Sequence, residues 1–159
     1  MIKTDNGYIR SADRDDASLF AGFVHDGRPR ALFFDARREV VFPTLTDVSE
    51  MLRSKEMKSG VVYALENQAG EVRGFATLKP ASLDTQTSEF LLALIDPEEY
   101  QTPLAADLLA FIANLAFVER RWRKLLCQVL DTEKEYCDFL EAQGLELSGV
   151  QRQIVFTQG

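Results

Sequence analysis

The chain has 159 residues, of which 46% are hydrophobic and 27% are charged, and this composition predicts one soluble globular domain over residues 1–159. The formal net charge is −7, and because an acidic surface repels phosphate backbones, we expect no nucleic-acid partner. With two cysteines, one histidine and no apolar run near the roughly 18 residues that span a bilayer, we expect no disulfide framework, no metal site, no membrane partner, and a cytoplasmic location.

The first third of the chain predicts a strand and two helices. A short strand is expected at Gly7–Arg10, and the spacing of apolar residues over Ala17–Val24 indicates an amphipathic helix that ends at a glycine. Residues 27–43 contain two apolar runs with a charged turn between them. This pattern is compatible with either a hairpin or a loop over the core. Thr44 or Thr46 is expected to cap a second helix, which ends at a Ser-Gly pair.

The middle of the chain predicts a hairpin and a third strand. Val61–Leu65 and Val72–Leu78 are apolar, and Asn67–Gly70 supplies the turn between them. Ser88–Ile95 is apolar enough to be a central strand. The hairpin implies antiparallel pairing between its two strands.

The last third predicts a helix, a buried strand, a second helix and an edge strand. Leu104–Arg120 has the strongest helical pattern, and Leu125–Leu130 is an apolar strand. A helix over Glu133–Gln143 is expected to begin at a Thr132 cap and to stop at the following glycine. Val150–Phe156 is expected to form an edge strand. Two strands joined by a long helix pair in parallel, so the fold class is α/β (α+β), a mixed central sheet with helices on both faces.

In this order, residues Ile95–Leu145 resemble the cofactor-binding half of the GNAT superfamily, the acetyl-CoA-dependent N-acetyltransferases. The resemblance implies a single GNAT-like domain with acetyl-CoA as co-substrate and a small-molecule or peptide amine as acceptor. It implies a pyrophosphate at the start of the long helix, where backbone N–H groups and the helix dipole favour anions. A domain without chemistry that serves binding or regulation is the alternative, and a homodimer is left open.

The family's pyrophosphate motif, Arg/Gln-x-x-Gly-x-Gly/Ala, is altered here. One register places Tyr100 on the Arg/Gln, Pro103 on the first glycine and Ala105 on the Gly/Ala. The register shifted by one places Gln101, Leu104 and Ala106 on these three positions. Proline has no N–H to offer a phosphate, although Thr102-Pro103 is a good helix opening. The resemblance also implies that strand amides near Leu92–Ile95 hold the acyl group. The residues it assigns to the cofactor are Leu94, Ile95, Tyr100, Gln101, Thr102, Leu104, Ala105, Ala106 and Glu133.

Two residues are candidates for the chemistry. Glu89 is the best-placed general base, since it precedes the long helix on a strand; a solvated strand-end carboxylate is the alternative, and His25 is a base only if the first helix borders the cleft. The position of the family's proton-donating tyrosine holds Leu140, and Tyr136 lies one turn earlier on the same helical face. The leaving thiolate could take its proton from Tyr136 or from water. Alternatively, Tyr136 has a packing role alone.

Overall fold

A computed structural model describes residues 1–25, 44–53 and 62–152 of the chain. Two short 3-10 helices precede α-helices in this part, at Arg14–Asp16 and at Pro97–Gln101, and a π-helical turn covers Leu115–Glu119. The strands are β1 (Ile2–Lys3), β2 (Gly7–Ser11), β3 (Val62–Asn67), β4 (Val72–Ser82), β5 (Thr87–Leu94) and β6 (Lys124–Leu126), and the helices are α1 (Ala17–His25), α2 (Leu45–Arg53), α3 (Pro103–Asn114) and α4 (Lys134–Ala142).

The strands form one mixed sheet in the order β1-β2-β3-β4-β5-β6. Each strand from β2 to β5 pairs antiparallel with the one before it. Short connections join β1 to β2, β3 to β4 and β4 to β5, whereas the chain between β2 and β3 contains α1 and α2. Strand β6 pairs in parallel with β5, as expected for two strands connected through the long helix α3. The predicted hairpin and the predicted parallel unit are both confirmed.

The two faces of the sheet carry separate apolar cores. Helices α1 and α2 cover one face, where the rings of Phe20 and Phe75 meet edge to face with centroids 5.1 Å apart. Helices α3 and α4 cover the other face, where Leu92, Leu108 and Ile112 are almost wholly buried. Because side chains alternate along a strand, the neighbouring strands β3 and β4 contribute to both cores. The predicted sheet with helices on both faces is confirmed.

At Gly7, the backbone of β2 lies very close to the backbone of β3 and to the Leu104 side chain at the start of α3. A Cβ atom added there would overlap the carbonyl oxygen of Glu66 and lie 2.8 Å from Cδ1 of Leu104. No residue other than glycine fits this contact without a shift of the backbone. The first turn of α3 is therefore positioned by the pairing of β2 with β3.

The helix ends match the sequence signals unevenly. Thr44 is the cap of α2, since its hydroxyl accepts a hydrogen bond from the Asp47 N–H (3.2 Å) and Asp47 accepts from the Thr44 N–H (2.7 Å). The predicted Thr132 cap is wrong, because α4 begins one residue later with Glu133 as its N-cap. Gly144 ends α4 with a φ of +87°, which favours glycine.

Strand β6 is shorter and less buried than the prediction for Leu125–Leu130. It spans Lys124–Leu126, and both its end residues are exposed. Among the described residues, β6 has a strand neighbour on one side only, which is β5. The prediction of a buried strand is therefore wrong, and the chain from Cys127 to Leu130 leaves the sheet.

Other predictions at the ends of elements have mixed outcomes. Strand β1 was not predicted, and the long helix ends in a π-helical turn rather than continuing regularly to Arg120. Of the predicted edge strand, residues 150–152 contain no strand. Four predictions lie outside the described residues: the remainder of that edge strand, the hairpin or loop at residues 27–43, the strand start at Val61, and the Ser-Gly stop of α2.

An ion-pair network joins β2, β3 and the 3-10 helix before α1. The Arg10 guanidinium donates to both carboxylate oxygens of Asp16, at 2.7 and 2.8 Å, and its Nε donates to Glu66 at 2.6 Å. Asp16 also accepts from the Asp13 N–H, and its side chain is 5% exposed. Bidentate contacts of this kind are among the stronger hydrogen bonds in proteins. The network fixes where α1 begins relative to the sheet.

Within the described ranges, no helix combines the length and the apolar character needed to cross a membrane. The same residues contain no cluster of His, Cys, Asp or Glu side chains with the arrangement of a metal site.

Candidate functional site

A gap opens between β5 and β6 because the two parallel strands pair over three positions only. The register joins Thr87 to Lys124, Ser88 to Leu125 and Glu89 to Leu126. Beyond Glu89, β5 continues to Leu94 while β6 ends. In the described part of the chain, the last five residues of β5 thus have a strand partner only on the β4 side. Their backbone groups on the other side need different partners.

The hydroxyl of Tyr100 supplies two of these contacts. It accepts a hydrogen bond from the Leu94 N–H at 3.2 Å and donates to the Leu92 carbonyl oxygen at 3.4 Å. A phenol can do both at once, since it carries one donor and free acceptor positions. Tyr100 is 5% exposed. Its side chain therefore stands where a third strand, or an extended ligand, would contact the edge of β5.

Aromatic rings of α4 close the gap over Tyr100. The ring centroid of Tyr136 lies 4.8 Å from that of Tyr100, and the Phe139 centroid lies 5.7 Å from it. The Tyr136 hydroxyl lies 3.1 Å from the Sγ atom of Cys127, which follows β6. Tyr136 is 1% exposed. These rings form an aromatic cluster, Tyr100, Tyr136 and Phe139, between the diverging strands and α4.

A groove of about 470 Å³ runs over this cluster, between the start of α3 and the outer face of α4. Two of its lining residues, Glu135 and Asp138, carry exposed carboxylates, and no described residue that lines it is cationic. An anion in the groove would therefore meet negative charge on the α4 side. The lining residues are Tyr100, Gln101, Thr102, Pro103, Ala106, Glu135, Asp138, Phe139, Ala142 and Gln143.

The start of α3 has fewer N–H groups to offer than an ordinary helix start. Thr102 is the N-cap, but its hydroxyl donates to the Glu99 carbonyl oxygen at 2.7 Å and caps no N–H of the helix. Pro103 has no N–H, and the Ala105 N–H donates to the Thr102 carbonyl oxygen at 3.2 Å. Ala105 is fully buried, whereas Ala106 lines the groove. The groove thus contains Gln101 and Ala106, the outer residues of the shifted motif register.

Glu89 lies at the last paired position of β5, where the gap begins. Its carboxylate is 3.4 Å from the Lys79 ammonium, and its side chain is 21% exposed. Since Glu89 alternates with Phe90 of the α3 core, it projects toward the α1 and α2 face. Tyr136 lies on the other face, so the structure places the two candidates on opposite sides of the gap.

Three residues assigned to the cofactor have structural contacts of their own. The Ile95 N–H donates to the Arg73 carbonyl oxygen at 2.9 Å, on the β4 side. Leu104 packs against the α3 core and against Gly7. The Glu133 carboxylate accepts from the Leu130 N–H at 2.9 Å. The side chain of His25 lies outside the described part of the structure.

The 3-10 helix Pro97–Gln101, which carries Tyr100 to the edge of β5, is not predicted from the sequence. Arg73 holds this helix on the sheet, since its Nε and Nη2 both lie 2.6 Å from Glu99 Oε1. Asp96 caps it by accepting from the Glu98 N–H at 3.1 Å. The Asp-Pro pair after the strand was the available signal, because it favours a helix start at that point.

A larger groove, of about 710 Å³, lies on the opposite flank of α3. It is bordered by the chain around β1 and by the second half of α3, and it contains the carboxylates of Asp5, Asp107 and Glu119. Since β1 and β6 stand at opposite ends of the described strand order, this groove is separate from the gap.

Comparison with known proteins finds similarity at the level of structure. No protein-family model and no curated protein sequence matches the chain. A chimeric spermidine N-acetyltransferase SpeG from Vibrio cholerae and hSSAT has a TM-score of 0.78 at 14% identity, with 98% of this chain and 89% of that chain covered. The spermidine N-acetyltransferase from Vibrio cholerae in complex with CoA and spermine gives 0.77 at 15% identity, covering 98% and 90%. A dodecameric structure of the Vibrio cholerae enzyme gives 0.75 at 14% identity, covering 98% and 88%.

The match extends over nearly the whole chain and includes the mixed sheet with helices on both faces. It confirms the fold expected from Ile95–Leu145: the chain has the fold of these spermidine N-acetyltransferases.

Proposed function

We propose that the chain is an acyl-CoA-dependent N-acyltransferase that moves an acetyl group from acetyl-CoA to an amine at the gap between β5 and β6. The observation that carries this proposal is the Leu94 N–H and the Leu92 carbonyl oxygen, a donor and an acceptor directed out of the sheet edge. Such a pair suits an extended, amide-bearing chain such as the arm of coenzyme A. The shared fold with enzymes that acetylate spermidine supports the same activity.

The reaction assigns a task to each side of the gap. The amine nitrogen attacks the thioester carbon, a C–N bond forms, and the C–S bond breaks. A backbone N–H at the open edge of β5, other than that of Leu94, holds the acyl oxygen, where negative charge develops. The proton released by the amine goes to Glu89 on the α1 and α2 face or to water, and the leaving thiolate takes a proton from Tyr136 on the opposite face or from water.

The groove suits the two ends of acetyl-CoA unequally. Its α3 side offers the positive end of a helix dipole to a pyrophosphate, but its α4 side carries Glu135 and Asp138. The uncharged, amide-bearing arm is not repelled by these carboxylates, whereas the phosphates of coenzyme A are. We infer that affinity is limited at the phosphate end.

Removing the two carboxylates should tighten binding of coenzyme A. For the double variant Glu135→Gln/Asp138→Asn we expect a dissociation constant about threefold to tenfold lower at low ionic strength, measured by titration calorimetry. The gain should shrink in about 1 M salt, because salt screens exposed charges. The control Glu50→Gln/Asp84→Asn removes two exposed carboxylates elsewhere on the chain. An equal gain in both double variants would assign the effect to net charge and not to the groove.

Titration calorimetry with acetyl-CoA tests the ligand. We expect saturable heat and thermal stabilisation, and both should be competed by coenzyme A. Neither heat nor a thermal shift at millimolar ligand would contradict the proposal. The Ala106→Glu variant should lose binding, since Ala106 lines the groove; Ala105 is unsuitable for this test because it is buried in the core.

A second function is favoured by the filled gap. Tyr100 occupies the edge of β5, and Pro103 removes one N–H at the phosphate end. A GNAT-fold domain without chemistry would have both features and would serve binding or regulation. It predicts that coenzyme A binds, if at all, without amine-dependent thiol release.

Three further expectations belong to the same proposal. The acceptor is a small-molecule or peptide amine, which the net charge of −7 would attract as a cation. A cytoplasmic location suits a protein that uses acetyl-CoA. A homodimer is tested by light scattering after size-exclusion chromatography, where a monomer at all concentrations would contradict it.

A further inference from the structure

We propose that the Tyr100 side chain is an internal substitute for the ligand, and that it must leave the edge of β5 before acyl-CoA enters the gap. Tyr100 then sets the affinity for the cofactor and selects for ligands that carry an amide. This inference rests on the proposed function, because it concerns the same gap.

The hydrogen bonds of Tyr100 are the first support. The Leu94 N–H and the Leu92 carbonyl oxygen lie in a buried setting, where a group that loses its partner is destabilising. The Tyr100 hydroxyl satisfies both groups in the chain as it stands. A ligand that binds these two backbone groups therefore cannot be present while the Tyr100 hydroxyl is bound to them.

The packing of Tyr100 is the second support. Its ring lies against Tyr136 and Phe139, so the aromatic cluster fills the space through which an extended chain would reach β5. This space is lined by aromatic side chains of α4, which can pack against the methylene groups of a thin, amide-bearing arm as well as against a phenol ring. Removing the ring from this position would open the groove toward the gap.

The segment that carries Tyr100 contains a buried group without a partner. Glu99 Oε1 pairs with Arg73, whereas Glu99 Oε2 is buried and has no hydrogen-bond partner among the described residues. Buried unsatisfied carboxylate oxygens are rare and destabilising. The arrangement in which Tyr100 fills the gap is therefore destabilised by its own 3-10 helix, and a shift of this helix would relieve Glu99 as it withdraws Tyr100.

The contacts also define the ligand that can replace the hydroxyl. It must accept from the Leu94 N–H and donate to the Leu92 carbonyl oxygen. A secondary amide offers both an acceptor and a donor, whereas an acyl carbonyl offers only an acceptor. The amide-bearing arm of coenzyme A meets this requirement. Binding of the nucleotide end of coenzyme A does not involve the Leu94 N–H or the Leu92 carbonyl oxygen.

The test uses Tyr100→Phe, which keeps the ring and removes the hydroxyl. Three probes are titrated by calorimetry: coenzyme A, pantetheine, which is the arm alone, and adenosine 3′,5′-bisphosphate, which lacks the arm. We expect coenzyme A and pantetheine to bind about tenfold more tightly to Tyr100→Phe than to the wild type, since two hydrogen bonds no longer compete. Binding of the nucleotide should not change. Tyr8→Phe is the control for loss of a tyrosine hydroxyl away from the gap.

The outcomes separate this inference from the proposed function. Equal affinities of wild type and Tyr100→Phe for coenzyme A would overturn the role of Tyr100 and leave the proposed function intact. Tighter binding of the nucleotide as well would also overturn it, because the effect would not then depend on the arm. Failure of every probe to bind either protein would overturn both.

The amide resonance of Leu94 gives a second readout, which holds even if Tyr100→Phe is less stable. In the free proteins the Leu94 amide signal of the wild type should differ from that of Tyr100→Phe, since only the wild type has the hydrogen bond from the Leu94 N–H to the Tyr100 hydroxyl. With saturating coenzyme A the two signals should coincide, because the ligand then contacts Leu94 in both. A wild-type signal that stays unchanged on saturation would show that Tyr100 remains in place and would overturn the proposal.

Discussion

Replacing Tyr136 by phenylalanine should lower amine-dependent turnover about 100-fold, the usual contribution of a general acid. Tyr136 is the hydroxyl-bearing residue of α4 that faces the gap, and its oxygen lies 3.1 Å from Cys127 Sγ. A thiolate that leaves at the edge of β5 would be within the same cluster. Phenylalanine keeps the ring contact with Tyr100, so the packing survives while the proton is lost.

The measurement is kcat with a saturating amine, taken beside the affinity for coenzyme A. We expect kcat to fall and the affinity to change little, because the proton is needed only when the C–S bond breaks. Tyr8→Phe is the matched control, on a strand away from the gap. Unchanged kcat in Tyr136→Phe would remove this residue from the chemistry and assign the proton to water.

Asp16→Asn should lower the free energy of unfolding by about 2 kcal/mol, because the Arg10 guanidinium loses its charged bidentate partner and keeps Glu66 as an anionic one. Both oxygens of Asp16 accept from Arg10 at 2.7 and 2.8 Å, and the side chain is 5% exposed. Urea denaturation measures the change. Asp15→Asn is the control on the same turn, where the side chain is exposed, and a loss as small as that of the control would contradict the role of the network.

The same network predicts an acid-dependent loss of stability. Burial raises the pKa of Asp16, but hydrogen bonds from Arg10 and from the Asp13 N–H outweigh it, so the pKa lies below its ordinary value. A lowered pKa stabilises the fold above the unfolded value of about 4, and this contribution is lost as the pH falls through the folded pKa. The difference between wild type and Asp16→Asn should therefore be full at neutral pH and shrink in acid.

Much of the fold could be predicted because its signals are local. The hairpin of β3 and β4, the central strand β5 and the long helix each have a periodic apolar pattern within one segment. The glycine after Gln143 ends α4 through its own backbone conformation, and Thr44 caps α2 through a neighbour three residues on. Thr132 shows the limit, since a cap residue in the right place competes with the turn that Glu133 makes with Leu130.

The contents of the gap could not be predicted, because they depend on contacts between distant segments. Tyr100 could be aligned with the Arg/Gln of the family motif, but nothing in the sequence places its hydroxyl on Leu94 and Leu92. That contact needs β6 to end after Leu126 and α4 to bring Tyr136 against the same ring. Likewise, the separation of Glu89 from Tyr136 follows from strand alternation and helix packing together. The assignment of both to catalysis stays a prediction.

The most direct test of the central claim is to look for the product. The protein is incubated with isotopically labelled acetyl-CoA and a panel of amines that includes spermidine, spermine, simple alkylamines and peptide N-termini, and the amines are analysed by mass spectrometry. An acyltransferase predicts a labelled N-acetyl amine, formed together with an equal amount of free coenzyme A and only when both substrates and protein are present. Absence of labelled product from every amine, with a protein that binds coenzyme A, would contradict transfer and leave a GNAT fold that serves binding alone.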